Sequence, residues 1–303
     1  MKIFITGATG YIGFAVASAL AAKGHQVFGL ARSDEKAKKL AAVEVTPVIG
    51  NMENPASYLE TARSCQILIH CAAEWTEQYH KLDRLTVETF IKAATASSSQ
   101  HTIIYTSGVW LYGNTQNEMV DESNKLNPPA LVKPRIETEN LVLNTQQNNV
   151  STVIMRPGCV YGGNGGLTSA WFNSAMTIGE AEIVGDGKFR WSMVHIQDLA
   201  DAYVRVAESA FAKQIFNVTD RSRFTVLECA EAASRVAGQN GKVRSIQLSQ
   251  AEKTLGAVAQ CLTLNQHVDS SKIARLLGWQ PKHGGFVDGV ARYFLAWKAL
   301  SEK

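Results

Sequence analysis

No apolar run in this 303-residue chain approaches the ~18 residues of a membrane-spanning helix. Met1-Lys2 leads straight into an apolar strand, with no room for a signal peptide, so the expected location is cytoplasmic. Charge does not gather either. The 30 Lys and Arg and 27 Asp and Glu leave a net +3 that is scattered, with no block of like charge and no basic helix face interleaved with aromatics. Nucleic acid and membrane surfaces are therefore not the expected partners. The five cysteines are odd in number and lack any Cys-x-x-Cys, which argues against a disulfide framework or a zinc site. The histidines never take metal-ligand spacing, so no metal is expected. Internal repeats and low-complexity tracts are also missing, and the length allows two domains, or one with a sizeable appendage.

What is present starts at the amino terminus. Thr6-Gly7-Ala8-Thr9-Gly10-Tyr11-Ile12-Gly13 follows the strand Ile3-Phe4-Ile5 and opens an alanine-rich helix to Lys23, which Gly24 closes before a second strand, Gln26-Leu30. Glycines collect at tight turns for steric reasons alone, but strand, turn and helix in this order suit a dinucleotide. Gly7 allows the turn, Gly10 lets the backbone approach a pyrophosphate, and Gly13 lets the helix pack closely on the strand. The residues between them, Thr9, Tyr11 and Ile12, carry the backbone of the helix start, whose amides and positive end face the phosphates.

The second strand ends at Ala31-Arg32-Ser33-Asp34. An NAD site usually places an acidic residue there for the ribose hydroxyls, whereas an NADP site must accept a phosphate. Ala31 is neutral and Arg32, with Ser33, can hold a 2′-phosphate, so the expected cofactor is NADP. In the plainer reading Arg32 is a solvated loop residue and Asp34 starts a helix. A strand over 43–49 contains Pro47, which suits a sheet edge. Asn51 and Met52 follow where an adenine would lie, although Asn51 serves equally as a turn residue. The apolar strand 66–70 leads into Cys71-Ala72-Ala73-Glu74, where Ala72 and Ala73 are small enough to admit a cofactor.

A helix over 81–96 and a strand over 101–105 deliver Thr106-Ser107-Gly108. A polar loop over 113–129, a helix over 133–147 and a strand over 151–156 precede a glycine-rich hinge or boundary at 157–166. Beyond lie a helix over 167–178, the segment Val194–Asp198, a helix to Ser209, a strand over 214–218 and mostly helix from Phe224. This alternation predicts an α/β fold, a Rossmann-type doubly wound parallel sheet. Residues 1–165 form the dinucleotide-binding domain, completed by 191–220, and 166–190 with 221–303 form a smaller, discontinuous substrate domain.

These residues resemble the extended short-chain dehydrogenase/reductases, the family of nucleotide-sugar epimerases and dehydratases and of dihydroflavonol reductases. The likeness rests on the glycine turn at 6–13, His70 to Ala73, Ser107 with Tyr112-Gly113, Arg156-Pro157-Gly158 with Tyr161-Gly162, Val194-His195 with Asp198-Leu199-Ala200, and Leu277-Gly278-Trp279 with Pro281. It implies a small-molecule substrate, nicotinamide contacts at Pro157, Cys159 and Val160, and a homodimer through the helices at 81–96 and 133–147.

The family's chemistry uses Tyr-x-x-x-Lys, with a Ser or Thr polarising the reacting carbonyl. Here Leu131 stands in the tyrosine position and Arg135 in the lysine position, and no nearby register restores the pair. Arg135 is expected to hold ribose hydroxyls, or else to pair with Glu139 on a helix surface. Ser107 reads as the polariser or as an ordinary strand-end hydroxyl. Tyr112 is a candidate replacement acid, although its family equivalent is structural. His195 and Asp198 read as a strand-helix junction rather than a catalytic pair. The implied function is an NADP-dependent oxidoreductase of a small carbonyl or hydroxyl compound with a non-standard proton donor. The alternative is an NADP-binding sensor without turnover; a nucleotide-sugar epimerase is a weaker third reading.

Overall fold

The computed structural model describes residues 1–73, 76–145 and 147–301. Its central feature is a seven-stranded sheet. Along the chain this is built from β1 (Lys2–Thr6), α1 (Tyr11–Ala22), β2 (Gln26–Ala31), α2 (Asp34–Ala41), β3 (Thr46–Ile49), α3 (Leu59–Arg63), β4 (Ile67–His70), α4 (Tyr79–Thr95), β5 (His101–Thr106), α5 (Arg135–Leu143), β6 (Val150–Pro157), α6 (Ile196–Ala207) and β7 (Gln214–Val218). The strand order is β7-β6-β5-β4-β1-β2-β3, and the pairings from β3 through β6 all run parallel. The fold is thus the doubly wound parallel sheet that the sequence suggests, with Gln214–Val218 in it. Helices cover both faces of such a sheet, which is why the middles of its inner strands are mostly apolar, with polar residues towards their ends. Ile3, Phe4 and Ile5 are fully buried, and β4 is buried along its whole length. Pro47, which cannot donate to a ladder, lies on the edge strand β3.

The chain divides into two compact units. The first comprises residues 1–107, 134–156 and 200–216. On one sheet face Phe4 stacks on Tyr58 at 5.7 Å and meets Phe90 edge-on at 5.9 Å. Gly24, at φ +82°, stops α1 with a backbone that other residues adopt at a cost. Ser33 caps α2, its Oγ accepting from the Lys36 amide at 3.3 Å.

The second unit comprises residues 108–133, 157–199 and 217–303. Its core is aromatic: Trp171 stacks on Trp191 at 5.3 Å, and Tyr161, Phe172, Phe286 and Tyr293 pack around them. Three short parallel ladders hold it, pairing 159–161 with 193–195, 181–184 with 243–246, and 119–120 with 267–268. The stretch read as a loop over 113–129 therefore contains a strand, Met119–Val120, whose partner lies far along the chain. A reciprocal Thr225 and Glu228 box opens the helix Val226–Val236.

Candidate active site

In the first unit the glycine turn joins β1 to α1. Gly7 has φ +74°, and a Cβ there would lie 2.5 Å from the Ala72 amide nitrogen, so only glycine fits. A Cβ on Gly13 would lie 2.2 Å from the Gly7 carbonyl oxygen, so helix and turn are in backbone contact. The Gly10 amide donates to Gly7 O at 2.9 Å. Gly10 also starts α1, with no side-chain cap and no acidic residue in the first turn. Thr9, Tyr11 and Ile12 are half-buried around this turn. A helix start without side-chain cap or acidic residue in its first turn, beside closely packed glycine backbone, fits a pyrophosphate.

Past β2, Ala31 is fully buried, and Arg32 and Ser33 are exposed, with Ser33 also serving as the α2 cap. Asn51 Oδ1 accepts from the Asn54 amide at 2.9 Å, which is the turn role. Met52 packs in the core with Phe4, Leu30 and Tyr58. Structural roles thus account for both side chains. Ala72 abuts Gly7 and Ala73 is exposed, whereas Glu74 lies outside the described residues.

At the carboxyl ends of β1, β4 and β5 the first unit holds a buried polar cluster. Thr6 Oγ1 lies 2.7 Å from His70 Nδ1, and His70 Nε2 lies 3.2 Å from Asp83 Oδ1. The Tyr105 hydroxyl donates to Asp83 Oδ2 at 2.8 Å. Burial pushes the Asp83 carboxyl up, but the hydrogen bond and charge of His70 and the charge of Arg135 outweigh it and hold the group below its ordinary range. Arg135 is neither on the surface nor paired with Glu139. It is buried, its Nε donates to the Tyr79 hydroxyl, and its Nη1 lies 3.4 Å from Thr106 O. Glu139 pairs instead with Arg156. Ser107 is 4% exposed, its amide donating to Met155 O at 2.7 Å. Its Oγ is buried without a hydrogen-bond partner among the described residues.

The remaining sequence candidates belong to the second unit. The Tyr112 hydroxyl donates to Asn217 Oδ1 at 2.9 Å, and its ring packs with Val109, Val120 and Val268. This is a structural setting for the candidate acid. Pro157 ends β6, and Val160 is buried in the strand Cys159–Tyr161. Burial, then the charge of Asp220, pushes the Cys159 thiol up to about 12, so it remains a neutral thiol. His195 ends a strand and Asp198 lies in the first turn of α6. Asp198 Oδ2 is 3.0 Å from His283 Nδ1, and its carbonyl accepts from Trp279 Nε1 at 2.9 Å, so two motifs far apart in sequence meet.

Tyr79 and Asp83 were not singled out from the sequence. Their spacing of four places them on one helix face, a signal that a helix drawn from residue 81 misses because α4 begins at Tyr79. No local feature pairs Tyr79 with Arg135. Among the described residues no group of three or more His, Cys, Asp or Glu is placed to hold a metal.

The chain is 29% identical over 304 residues to an uncharacterized protein of Saccharomyces cerevisiae, covering 97% of this chain and 100% of that one. It is 27% identical over 228 residues to a 4-hydroxy-2-methyl-3-oxo-4-farnesyl-3,4-dihydroquinoline-1-oxide ketoreductase of Stigmatella aurantiaca, covering 73% and 68% of the two chains. Its fold matches that of UDP-glucuronic acid 4-epimerase from Bacillus cereus, solved with UDP-glucuronic acid and NAD, at a TM-score of 0.83 and 18% identity over 99% and 100% of the two chains. The family model for the NAD dependent epimerase/dehydratase family matches residues 3–219. This chain therefore belongs to the NAD dependent epimerase/dehydratase family.

Proposed function

We propose that the chain is an NADP-dependent oxidoreductase acting on a small carbonyl or hydroxyl compound, with a proton donor other than the family's tyrosine. The observation that carries this reading is the Ser107 hydroxyl, buried at the carboxyl end of β5 with no hydrogen-bond partner among the described residues. An unsatisfied buried hydroxyl costs about 1–3 kcal/mol. A substrate oxygen that accepts its hydrogen offsets that cost and is polarised by the same contact. The glycine turn would hold the dinucleotide pyrophosphate and Arg32 with Ser33 the 2′-phosphate. Pro157 and Val160 would contribute nicotinamide contacts, and 166–190 with 221–303 those to substrate. Bound dinucleotide supplies or accepts the electron pair of the reaction. The likeness to a ketoreductase supports this chemistry.

The five cysteines are all free thiols, which suits a reducing compartment and the cytoplasmic location we propose. No helix among the described residues is long and apolar enough to cross a membrane. A homodimer is proposed through α4 and α5, between which Arg84, Ile91, Glu137 and Leu141 line a groove.

The test is NADPH oxidation with a panel of aldehydes and ketones. Ser107→Ala is expected to lower kcat/KM by about tenfold or more, the worth of one hydrogen bond to developing charge. A second reading, a dinucleotide sensor without turnover, is favoured by Leu131, which has no proton to give. It would be adopted if the native chain bound NADPH tightly and reduced nothing. Nucleotide-sugar epimerisation is less favoured, because the structural neighbour holds NAD whereas Ala31-Arg32 suits NADP.

A further inference from the structure

We propose that the Tyr79 hydroxyl is the proton donor that stands in for the missing tyrosine, and that Arg135 is the cation that stands in for the missing lysine. This role rests on the reductase reading above. In the family's pair a phenol gives the proton and a neighbouring cation stabilises the phenolate that remains. Here the two groups come from different helices, yet the Arg135 Nε–H donates to the Tyr79 oxygen, and the guanidinium carbon lies 5.3 Å from the Tyr79 ring centre.

Three further observations place and prepare the pair. Tyr79 is the first residue of α4, and Ala72, just past β4, lies against Gly7. Arg135 reaches Thr106 O, one peptide bond before Ser107. Phenol, cation and serine thus converge at the carboxyl ends of the central strands, where doubly wound sheets take their ligands. Asp83 is hydrogen-bonded by Tyr105 and lies beside His70, and its charge together with the Tyr79 contact favours the Arg135 cation. Tyr79 is 3% and Arg135 8% exposed, so the low surrounding polarisability strengthens their interaction. Burial pushes the Tyr79 phenol up to about 12 against the opposing charge of Arg135, so it carries its proton at neutral pH. Arg135 keeps its charge throughout.

The balance is simple. The carbonyl carbon gains a hydrogen and its electron pair from reduced nicotinamide dinucleotide, and the C=O π pair moves to oxygen. That oxygen bonds to the Tyr79 hydroxyl hydrogen as the phenol O–H breaks. The phenolate, held by Arg135, then takes a proton from water.

Fluorotyrosine incorporated at position 79 keeps ring and hydroxyl, is more acidic, and gives a single fluorine NMR signal. That signal is expected to shift when NADP⁺ is added and to shift in Arg135→Met without ligand. A signal that saturating NADP⁺ leaves unmoved overturns the assignment, whatever the activity. With any carbonyl that the native chain reduces, Tyr79→Phe is expected to lower kcat about hundredfold while NADP⁺ affinity holds. Fluorotyrosine should draw the alkaline fall of kcat to lower pH. Full kcat in Tyr79→Phe, or an unmoved alkaline limb, overturns the donor role and leaves the reductase reading standing. A native chain that binds NADP⁺ and reduces no carbonyl overturns the reductase reading, and the donor role with it.

Discussion

Arg156 holds Glu139 through two parallel hydrogen bonds, Nε to Oε1 at 2.9 Å and Nη2 to Oε2 at 2.5 Å, with each side chain 3% exposed. The pair ties α5, which carries Arg135, to β6. Removing one partner leaves the other charge buried and alone, at a cost of roughly 3–5 kcal/mol. Glu139→Ala should therefore unfold at much lower urea than the native chain, whereas the double change Glu139→Leu/Arg156→Met should recover most of the loss. Equal midpoints for Glu139→Ala and the native chain would refute this.

Gly13→Ala is expected to abolish dinucleotide binding and to lower the melting temperature. Its Cβ would sit 2.2 Å from Gly7 O, so either the helix or the turn must move. Fluorescence titration with NADPH, beside a thermal melt, reads both effects. Unaltered affinity would show that the turn does not bind the phosphates.

For Arg32→Ala we expect NADPH affinity to fall about tenfold to hundredfold and NADH affinity to stay constant, since a charge-assisted hydrogen bond is worth about 1.5–3 kcal/mol. Arg32 is exposed, so the preference should also shrink with added salt. Parallel losses for both cofactors would detach Arg32 from the 2′-phosphate.

Acid should weaken the second unit through His195. Burial first, then the charge of His283 stacked at 3.6 Å, lower its pKa from 6.5 to about 4, against the pull of Asp198. Its Nδ1 also accepts from the Gln197 amide at 3.2 Å, which a protonated ring cannot do. The unfolded chain thus binds a proton that the folded chain refuses. Stability from this group is complete above pH 6.5 and is lost as pH falls towards 4, to an extent of roughly 3 kcal/mol at most. Melting curves across that window should slope more steeply for the native chain than for His195→Asn. Identical slopes would count against the burial of a neutral ring.

What could be read from the sequence was local or periodic. The glycine turn is legible because strand, turn and helix are contiguous and the steric demand at Gly7 and Gly13 arises within a few residues. The inner strands are legible because burial on both faces favours short, largely apolar runs. Pro47 marked an edge because a missing amide is tolerated only there.

The pairings were not visible. Arg156 was recognised as a motif residue and Glu139 as a possible partner of Arg135, yet nothing in the string says that Glu139 and Arg156 hold one another. Arg135 read as a surface residue or a ribose ligand because a helix of nine residues does not reveal which face is covered. Tyr79 drew no notice at all. Sequence alone determined the doubly wound fold and the glycine turn that joins its first strand and helix, since both follow from chain-local sterics and periodic burial. Only the tertiary structure decided that Tyr79 meets Arg135, that the Ser107 hydroxyl has no hydrogen-bond partner among the described residues and that Tyr112 is taken by Asn217. Those outcomes depend on which segments the sheet order and helix packing bring together, and no local pattern encodes contacts between residues tens of positions apart.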